Sequence, residues 1–436
     1  MVVSMNGVLT DLVRPDLANH KEASNLAFNE HVKALKKSGR DISHFAFGQS
    51  PFPIPQCIVD GLKEFAHENA YLPMTGIPEL RAALVEFHIR YDDIKLDLEG
   101  FVVGPGSKEL LYLVMTTFNG DILLPAPAWT TYAPQIKLAG KEAVIIPTSP
   151  ESGWRLSADI LTKALQRPGL KQNKILILTN PGNPTGTCFT EKELKEISAV
   201  CRQHGVIVMT DEIYGRLAFS GKHTCMVKYY PEGTILTSGF SKWASAGGWR
   251  LGYAHFPSTL SSLLKAVRSA ASHTYSCAPA PMQFAMAKAL RENSSELDRY
   301  MKDCTRVLKA VASYCYKELK SVGVGGVQSE AGYYYMPDFE VVRKGLLKRN
   351  ITTGDGMSQA MLEADVALMG SHAFLQPAEE LTTRFCFVCF DGRAALKALQ
   401  DVPVSVDLDD KFVEQYAQPV VLGVQKIKSW VINLTQ

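Results

Sequence analysis

Charge of one sign is the first thing this sequence lacks. Its 436 residues carry 46 Lys and Arg against 44 Asp and Glu, a formal net charge of +2. Binding nucleic acid or an anionic membrane surface takes a concentrated basic patch, so neither role has support here. Long apolar runs are missing too: none approaches the roughly 20 residues of a membrane-spanning helix. Met1 to Arg14 carries Asp11 and lacks the basic-then-apolar layout of a secretory signal. No repeat and no low-complexity stretch occurs. Cysteine is sparse and odd in number, nine in all, from Cys57 to Cys389. Cys386 and Cys389 read C-x-x-C, but Phe387 and Val388 between them belong to an apolar run, and no second pair completes a zinc site. Two buried thiols are expected, and the whole set reads as reduced cysteines of a reducing, cytoplasmic compartment.

What is present is an ordinary globular composition, 46% hydrophobic and 21% charged. The length exceeds one simple core and predicts two associated domains. From Phe101 onward, short apolar runs alternate with helical patterns. The runs are Phe101–Val103, Ile122–Leu124, Ala143–Ile146, Ile175–Leu178, Val206–Met209 and Ile235–Thr237. They are continuous rather than alternating, as in strands covered on both faces. The clearest helix is Thr190 to His204. Thr190 and Glu193 form a capping box, Leu194, Ile197 and Cys201 make one apolar stripe, and Gly205 stops the helix. The alternation predicts an α/β fold with a mostly parallel central sheet.

The two ends differ from this middle. Residues 1–50 are helical and mixed, and Pro51–Pro55 is irregular. After about residue 290 a long helical pattern runs through Lys317 and is broken by Gly323, Gly325 and Gly326. A Tyr-rich strand at Tyr333–Met336 follows, then a helical stretch and a last strand at Arg384–Phe390. The expected division is a large domain over 51–290 and a smaller α+β domain made of 291–436 with the N-terminal arm, 1–50.

Three expected strands end in polar segments. Ile175–Leu178 leads into Asn180-Pro-Gly-Asn-Pro-Thr-Gly186. Val206–Met209 leads into Asp211-Glu-Ile-Tyr214. Ile235–Thr237 leads into Ser238-Gly-Phe-Ser-Lys242, followed by Gly247-Gly-Trp-Arg250-Leu-Gly252. Ligands of open parallel sheets bind beyond the carboxyl ends of the strands. Taken singly, each segment has an ordinary explanation: a stiff turn, a helix cap, a solvated surface lysine. Their joint occurrence at successive strand ends does not.

As a set, from about Gly48 to Arg384, these segments resemble the class I/II aminotransferases, enzymes of fold-type I that depend on pyridoxal 5′-phosphate, and in particular the aspartate/prephenate branch. The resemblance implies that Lys242 holds the cofactor as a Schiff base and later moves a proton. It implies that Asp211 pairs with the pyridine nitrogen, and that Asn183 and Tyr214 bond the ring's 3′-oxygen. Gly106, Ser107 and Lys108 open a helix behind Gly104-Pro-Gly-Ser-Lys108, a place that favours a phosphate. Arg250 and Ser241 are implied as further phosphate ligands, with Ser238 a weaker match because Gly239 stands where relatives carry a second serine. Trp129 is implied over the ring, and Arg384 with Gly48 at the substrate's α-carboxylate. Tyr71 resembles the tyrosine that serves the neighbouring subunit's phosphate, which implies a homodimer.

For Lys108 two readings stand: it reaches the distal carboxylate of an acidic substrate, or it lies on the exposed face of its helix. Arg155 and Arg216 are alternative sources of a distal cation. Trp243-Ala-Ser-Ala-Gly departs from the Phe-containing run of many relatives. The expected function is a ping-pong amino transfer between an amino acid and a 2-oxo acid, with aspartate or glutamate as the acidic candidates. A lyase or decarboxylase of the same fold is the alternative, because fold and cofactor do not decide the reaction. A non-catalytic regulator would bring a DNA-binding segment, and the first fifty residues show no basic helix-turn-helix pattern.

Overall fold

The computed structural model describes residues 12–18, 22–400 and 402–436. The first eleven residues, Asp11 among them, lie outside the described residues. A helix at Ser24–Lys37 precedes a two-residue strand, β1 (Ser43–His44). Seven strands follow: β2 (Phe101–Gly104), β3 (Asp121–Ala126), β4 (Ala143–Pro147), β5 (Lys174–Thr179), β6 (Val206–Asp211), β7 (Thr234–Gly239) and β8 (Gly252–His255). They make one sheet in the order β2-β8-β7-β6-β5-β3-β4. Six of them correspond to the six apolar runs. β8 was not expected. It is four residues long, begins on a glycine, and runs antiparallel between β2 and β7 while the other pairings are parallel.

Helices cover both faces of this sheet, which is why its inner strands are apolar throughout. β2, β6 and β7 are almost wholly buried, while β4, at the edge, is half-exposed. The helix Glu191–His204 forms as its sequence dictates. Thr190 and Glu193 bond each other's backbone N–H groups, Leu194, Ile197 and Cys201 are buried, and Gly205 closes the helix at φ 62°.

Beyond residue 290 the helix Ser294–Lys320 leads to β9 (Gly325–Val327) and β10 (Tyr334–Asp338). Then come β11 (Val366–Ala367), β12 (Met369–Gly370) and β13 (Thr383–Cys386). These form a four-stranded antiparallel sheet, β12-β13-β10-β9, and β11 pairs in parallel with β1. The last strand ends at Cys386 rather than at Phe390. Cys386 is buried at that end and Cys389 is half-buried, and all nine cysteines are free. Among the described residues no cluster of side chains suits a metal ion, and no helix is long and apolar enough to cross a membrane.

Candidate active site

The carboxyl ends of β5, β6 and β7 open onto a cavity of about 600 Å³. Its walls include Lys108, Asp211, Lys242, Arg250 and Arg384, and also Gly48, Ser107, Trp129, Asn183, Tyr214 and Ser241. The motifs after the three strands therefore converge in one place. Tyr71 does not join them; it stands on a loop, 91% exposed.

β6 carries Asp211 to the floor of the cavity, where it is 3% exposed. One carboxylate oxygen accepts the Tyr132 hydroxyl at 2.8 Å, and the other accepts the Ile213 N–H at 3.2 Å. Burial dominates and pushes its pKa up to about 6, against the lowering effect of Tyr132. The loop after β7 brings in Lys242, whose Nζ donates to the Gly48 carbonyl at 2.7 Å. Its amine lies 5.5 and 5.7 Å from the ring centres of Tyr214 and Tyr333. Burial lowers the lysine's pKa to about 8, so about a tenth of the amine is neutral and nucleophilic at pH 7, far more than for a lysine in water.

On the opposite wall, β2 runs into the turn Gly104–Gly106 and then the helix Ser107–Thr117. Gly106 sits at φ 91°, and a Cβ there would meet Arg250 Nη2 at 2.2 Å. A Cβ on Gly252 would meet the Ser107 N at 2.5 Å, so β8 begins on glycine to let this turn lie against it. Arg250 reaches the same turn, donating to the carbonyls of Pro105 and Gly247 at 2.9 and 2.8 Å. A helix N-terminus, a guanidinium and nearby serine hydroxyls make an anion cradle. Lys108 points inward rather than out from its helix: its Nζ lies 5.1 Å from the centre of the Trp129 ring. Burial, then the neighbouring Arg250, lowers its pKa.

Arg384, on β13, is 1% exposed. It donates to the Ala46 carbonyl at 2.7 Å and to Asn183 Oδ1 at 3.3 Å, and its Nε has no partner. Its guanidinium lies between the rings of Tyr334 and Phe374, 4.7 and 4.9 Å away. Among the described residues it forms no ion pair with a carboxylate. A cation buried this way is costly without an anion, so the cavity wall it forms favours a negatively charged ligand.

Two expected alternatives fall away. Arg155 pairs with Glu193 and Glu330, and Arg216 pairs with Asp92 and stacks on Phe87 and Tyr91. Neither lines the cavity, because each has its carboxylate elsewhere. Ser238 also points away, to the Glu212 carbonyl. Trp243, the departure noted after Lys242, packs into the core on Phe87 and Phe240.

Several wall residues were missed. Tyr132 opens the helix Tyr132–Leu138, three residues after Trp129, and Tyr334 belongs to the Tyr-rich strand, but neither carried a motif that tied it to Asp211 or Arg384. Asn25 and Leu26 arrive from the first helix. Ser50 and Ser245 join the site through a 2.6 Å contact between their hydroxyls.

Known proteins resemble this chain in sequence and in fold. The family "Aminotransferase class I and II" matches residues 40–390. An aspartate aminotransferase of Geobacillus stearothermophilus is 28% identical over 372 residues, covering 83% of this chain and 91% of its own. One from Pyrococcus abyssi is 30% identical over 355 residues, covering 77% and 84%. A solved structure of aspartate aminotransferase from Thermus thermophilus with maleate superposes with a TM-score of 0.81, covering 96% of this chain and 99% of that one; at 21% identity it bears on the fold.

The buried carboxylate gives a pH test on ligand-free protein. The unfolded Asp211 ionises near 3.8 and the folded one near 6. Its contribution to stability is therefore present in full below about pH 4 and is lost as pH rises through 6, by on the order of 3 kcal/mol. Asp211→Asn removes this slope. Urea denaturation of both proteins from pH 4 to 7 should give a difference that changes across that window; a constant difference would contradict the assignment.

Proposed function

The chain belongs to the aminotransferase class I and II family and moves amino groups between amino acids and 2-oxo acids, and from that premise we propose that its donor is an acidic amino acid, aspartate or glutamate, and that Lys242 holds pyridoxal 5′-phosphate. Members of the family generally depend on that cofactor. When bound, it supplies an aldehyde for the substrate amine and a ring that takes up electrons released at Cα.

The residues fit such a group. The amine of Lys242 has lowered basicity, a buried carboxylate stands ready for a ring N–H, and Arg250 faces a helix N-terminus. In this reading Gly106, Ser107, Ser241 and Arg250 hold the phosphate, with Lys108 at its edge and Tyr71 serving the partner subunit of a homodimer. Asp211 keeps the ring nitrogen protonated, and Asn183 and Tyr214 address the 3′-oxygen. Trp129 covers the ring. Arg384 and Gly48 orient the substrate's α-carboxylate, and the freed Nζ of Lys242 takes the proton from Cα. The chain divides into a large domain over 51–290 and a small one of 1–50 with 291–436. Nine unpaired cysteines support a reducing, cytosolic setting.

The observation that carries the substrate is the excess of cations on the cavity wall. Lys108, Lys242, Arg250 and Arg384 line the cavity, against the single carboxylate of Asp211. Arg250 and the helix N-terminus face the phosphate and Arg384 faces the α-carboxylate. Lys108 points into a partly dry pocket beside Trp129, where it would meet a second carboxylate as well as the phosphate's edge.

Three outcomes test this. Lys242→Ala should fold but lose the cofactor's visible absorbance and nearly all turnover; activity near wild type would remove Lys242 from its role. Lys108→Ala should raise KM for aspartate and glutamate by roughly 30-fold or more, as for one lost charged hydrogen bond of about 2 kcal/mol, with alanine and aromatic donors little changed. Equal losses for all donors would assign Lys108 to the phosphate or the fold. Sedimentation of the active enzyme should show a dimer, and an active monomer would exclude the shared role of Tyr71.

A further inference from the structure

Tyr334 touches three parts of the site and has no role in the scheme above. It stands at the start of β10, 3% exposed. Its hydroxyl lies 2.8 Å from the Tyr214 hydroxyl. Its ring faces the Arg384 guanidinium at 4.7 Å. A Cβ on Gly48 would sit 2.0 Å from its oxygen, so the hydroxyl rests on the backbone whose carbonyl receives Lys242 Nζ.

Two hydroxyls that share one hydrogen bond carry two protons, and one proton is left over. Among the described residues neither tyrosine hydroxyl has another partner. The spare proton therefore points into the cavity that both residues line. Arg384 decides which hydroxyl donates. Its positive charge sits over Tyr334 and makes that O–H the stronger donor of the pair, while burial keeps both phenols protonated.

We propose that Tyr334 is a positioning residue: its hydroxyl donates to Tyr214 and so aims the Tyr214 proton at the 3′-oxygen of the cofactor. The inference rests on the reading of the cavity as a pyridoxal phosphate site. In a chain of two donors each bond polarises the next, so the Tyr334 bond strengthens the one Tyr214 makes. The stronger that second bond, the better it stabilises the deprotonated, negatively charged oxygen, and the lower the pH at which the bound cofactor titrates. Tyr334 also ties this titration to Arg384, since both depend on where its ring lies.

The test is a pH titration of the holoenzyme, following the cofactor's visible absorbance. Tyr214→Phe should raise the midpoint by roughly 1 pH unit, the loss of one hydrogen bond to a charged acceptor. Tyr334→Phe, which keeps the ring over Arg384, should raise it by a smaller step, on the order of 0.3 unit. The double variant should match Tyr214→Phe alone, because Tyr334 acts only through Tyr214. A midpoint unmoved by Tyr334→Phe, or a Tyr334→Phe step that persists in full on top of Tyr214→Phe, overturns the proposal. A midpoint unmoved by Tyr214→Phe overturns the reading of the site and this inference with it. Circular dichroism and thermal melts of each variant separate a loss of packing, which lowers Tm and leaves the midpoint in place, from loss of the relay.

Discussion

The guanidinium of Arg384 is a cation buried at the cavity wall with no carboxylate beside it among the described residues, and four remote stretches of chain are arranged around it. β13 carries it, Ala46 offers a carbonyl, Asn183 offers an amide oxygen, and Tyr334 and Phe374 offer ring faces. Taking such a charge out of water costs several kcal/mol even after relaxation. Neutral oxygens and aromatic faces return part of that. The loops of the large sheet, the small sheet and the segment after β1 thus meet at one buried charge on the cavity wall.

The same burial acts on the two central titrating groups in opposite directions. Asp211 is pushed up to about 6 and Lys242 down to about 8. Each moves toward neutrality because each charged form is poorly solvated where it stands. Both shifts suit the chemistry. A lysine of ordinary basicity would stay almost wholly protonated at pH 7 and could neither attack a carbonyl nor accept a proton. A carboxylate reluctant to stay ionised gains most from a donor or cation placed against it. Perturbed groups that cluster in one cleft are the expected signature of such a site.

Much of this was legible in the sequence, because it is written locally. Parallel strands covered on both faces need continuous apolar runs, and six runs became six strands. Asn183, Asp211, Tyr214 and Lys242 follow those strands within a few residues, so strand ends placed them together. What was not legible depends on tertiary contact. β8 has only Gly252-Tyr-Ala-His255, too short and too mixed to show a period, and its place is fixed by the glycines that let β7 and the turn at Gly106 approach it. Tyr132 enters the site from the start of a helix and Tyr334 from a strand, and a buried tyrosine on either looks like core until its hydroxyl finds a partner. Arg155 and Arg216 failed as candidates for the same reason in reverse: their carboxylates, Glu193 and Asp92, are distant in the chain, and nothing in the sequence linked either to its arginine.

The loop from Lys242 to Arg250 shows how the two halves of the site are held in register. It has to present a lysine to one end of the cavity and, eight residues on, an arginine to the other. Ser245 and Arg250 both adopt φ near 56°, a left-handed conformation that side-chain-bearing residues avoid. Each such residue costs of order 1–3 kcal/mol and persists where its surroundings over-determine it. Those surroundings are visible. Trp243 is anchored in the core against Phe87 and Phe240, and the Ser245 hydroxyl meets both Ser50 and Tyr300, whose own hydroxyl donates to the Pro53 carbonyl. Arg250 is fixed by two carbonyls, one of them in the turn it faces across the cradle. This loop therefore contributes both to the cavity wall, through Ser245 and Gly247, and to the core behind it, through Trp243. The large core residue lies under the loop, the small ones allow the tight turns, and a serine ties the lysine's loop to the segment that begins at Gly48. Because that segment also supplies the carbonyl that receives Lys242, the lysine's loop and the segment are tied at two points.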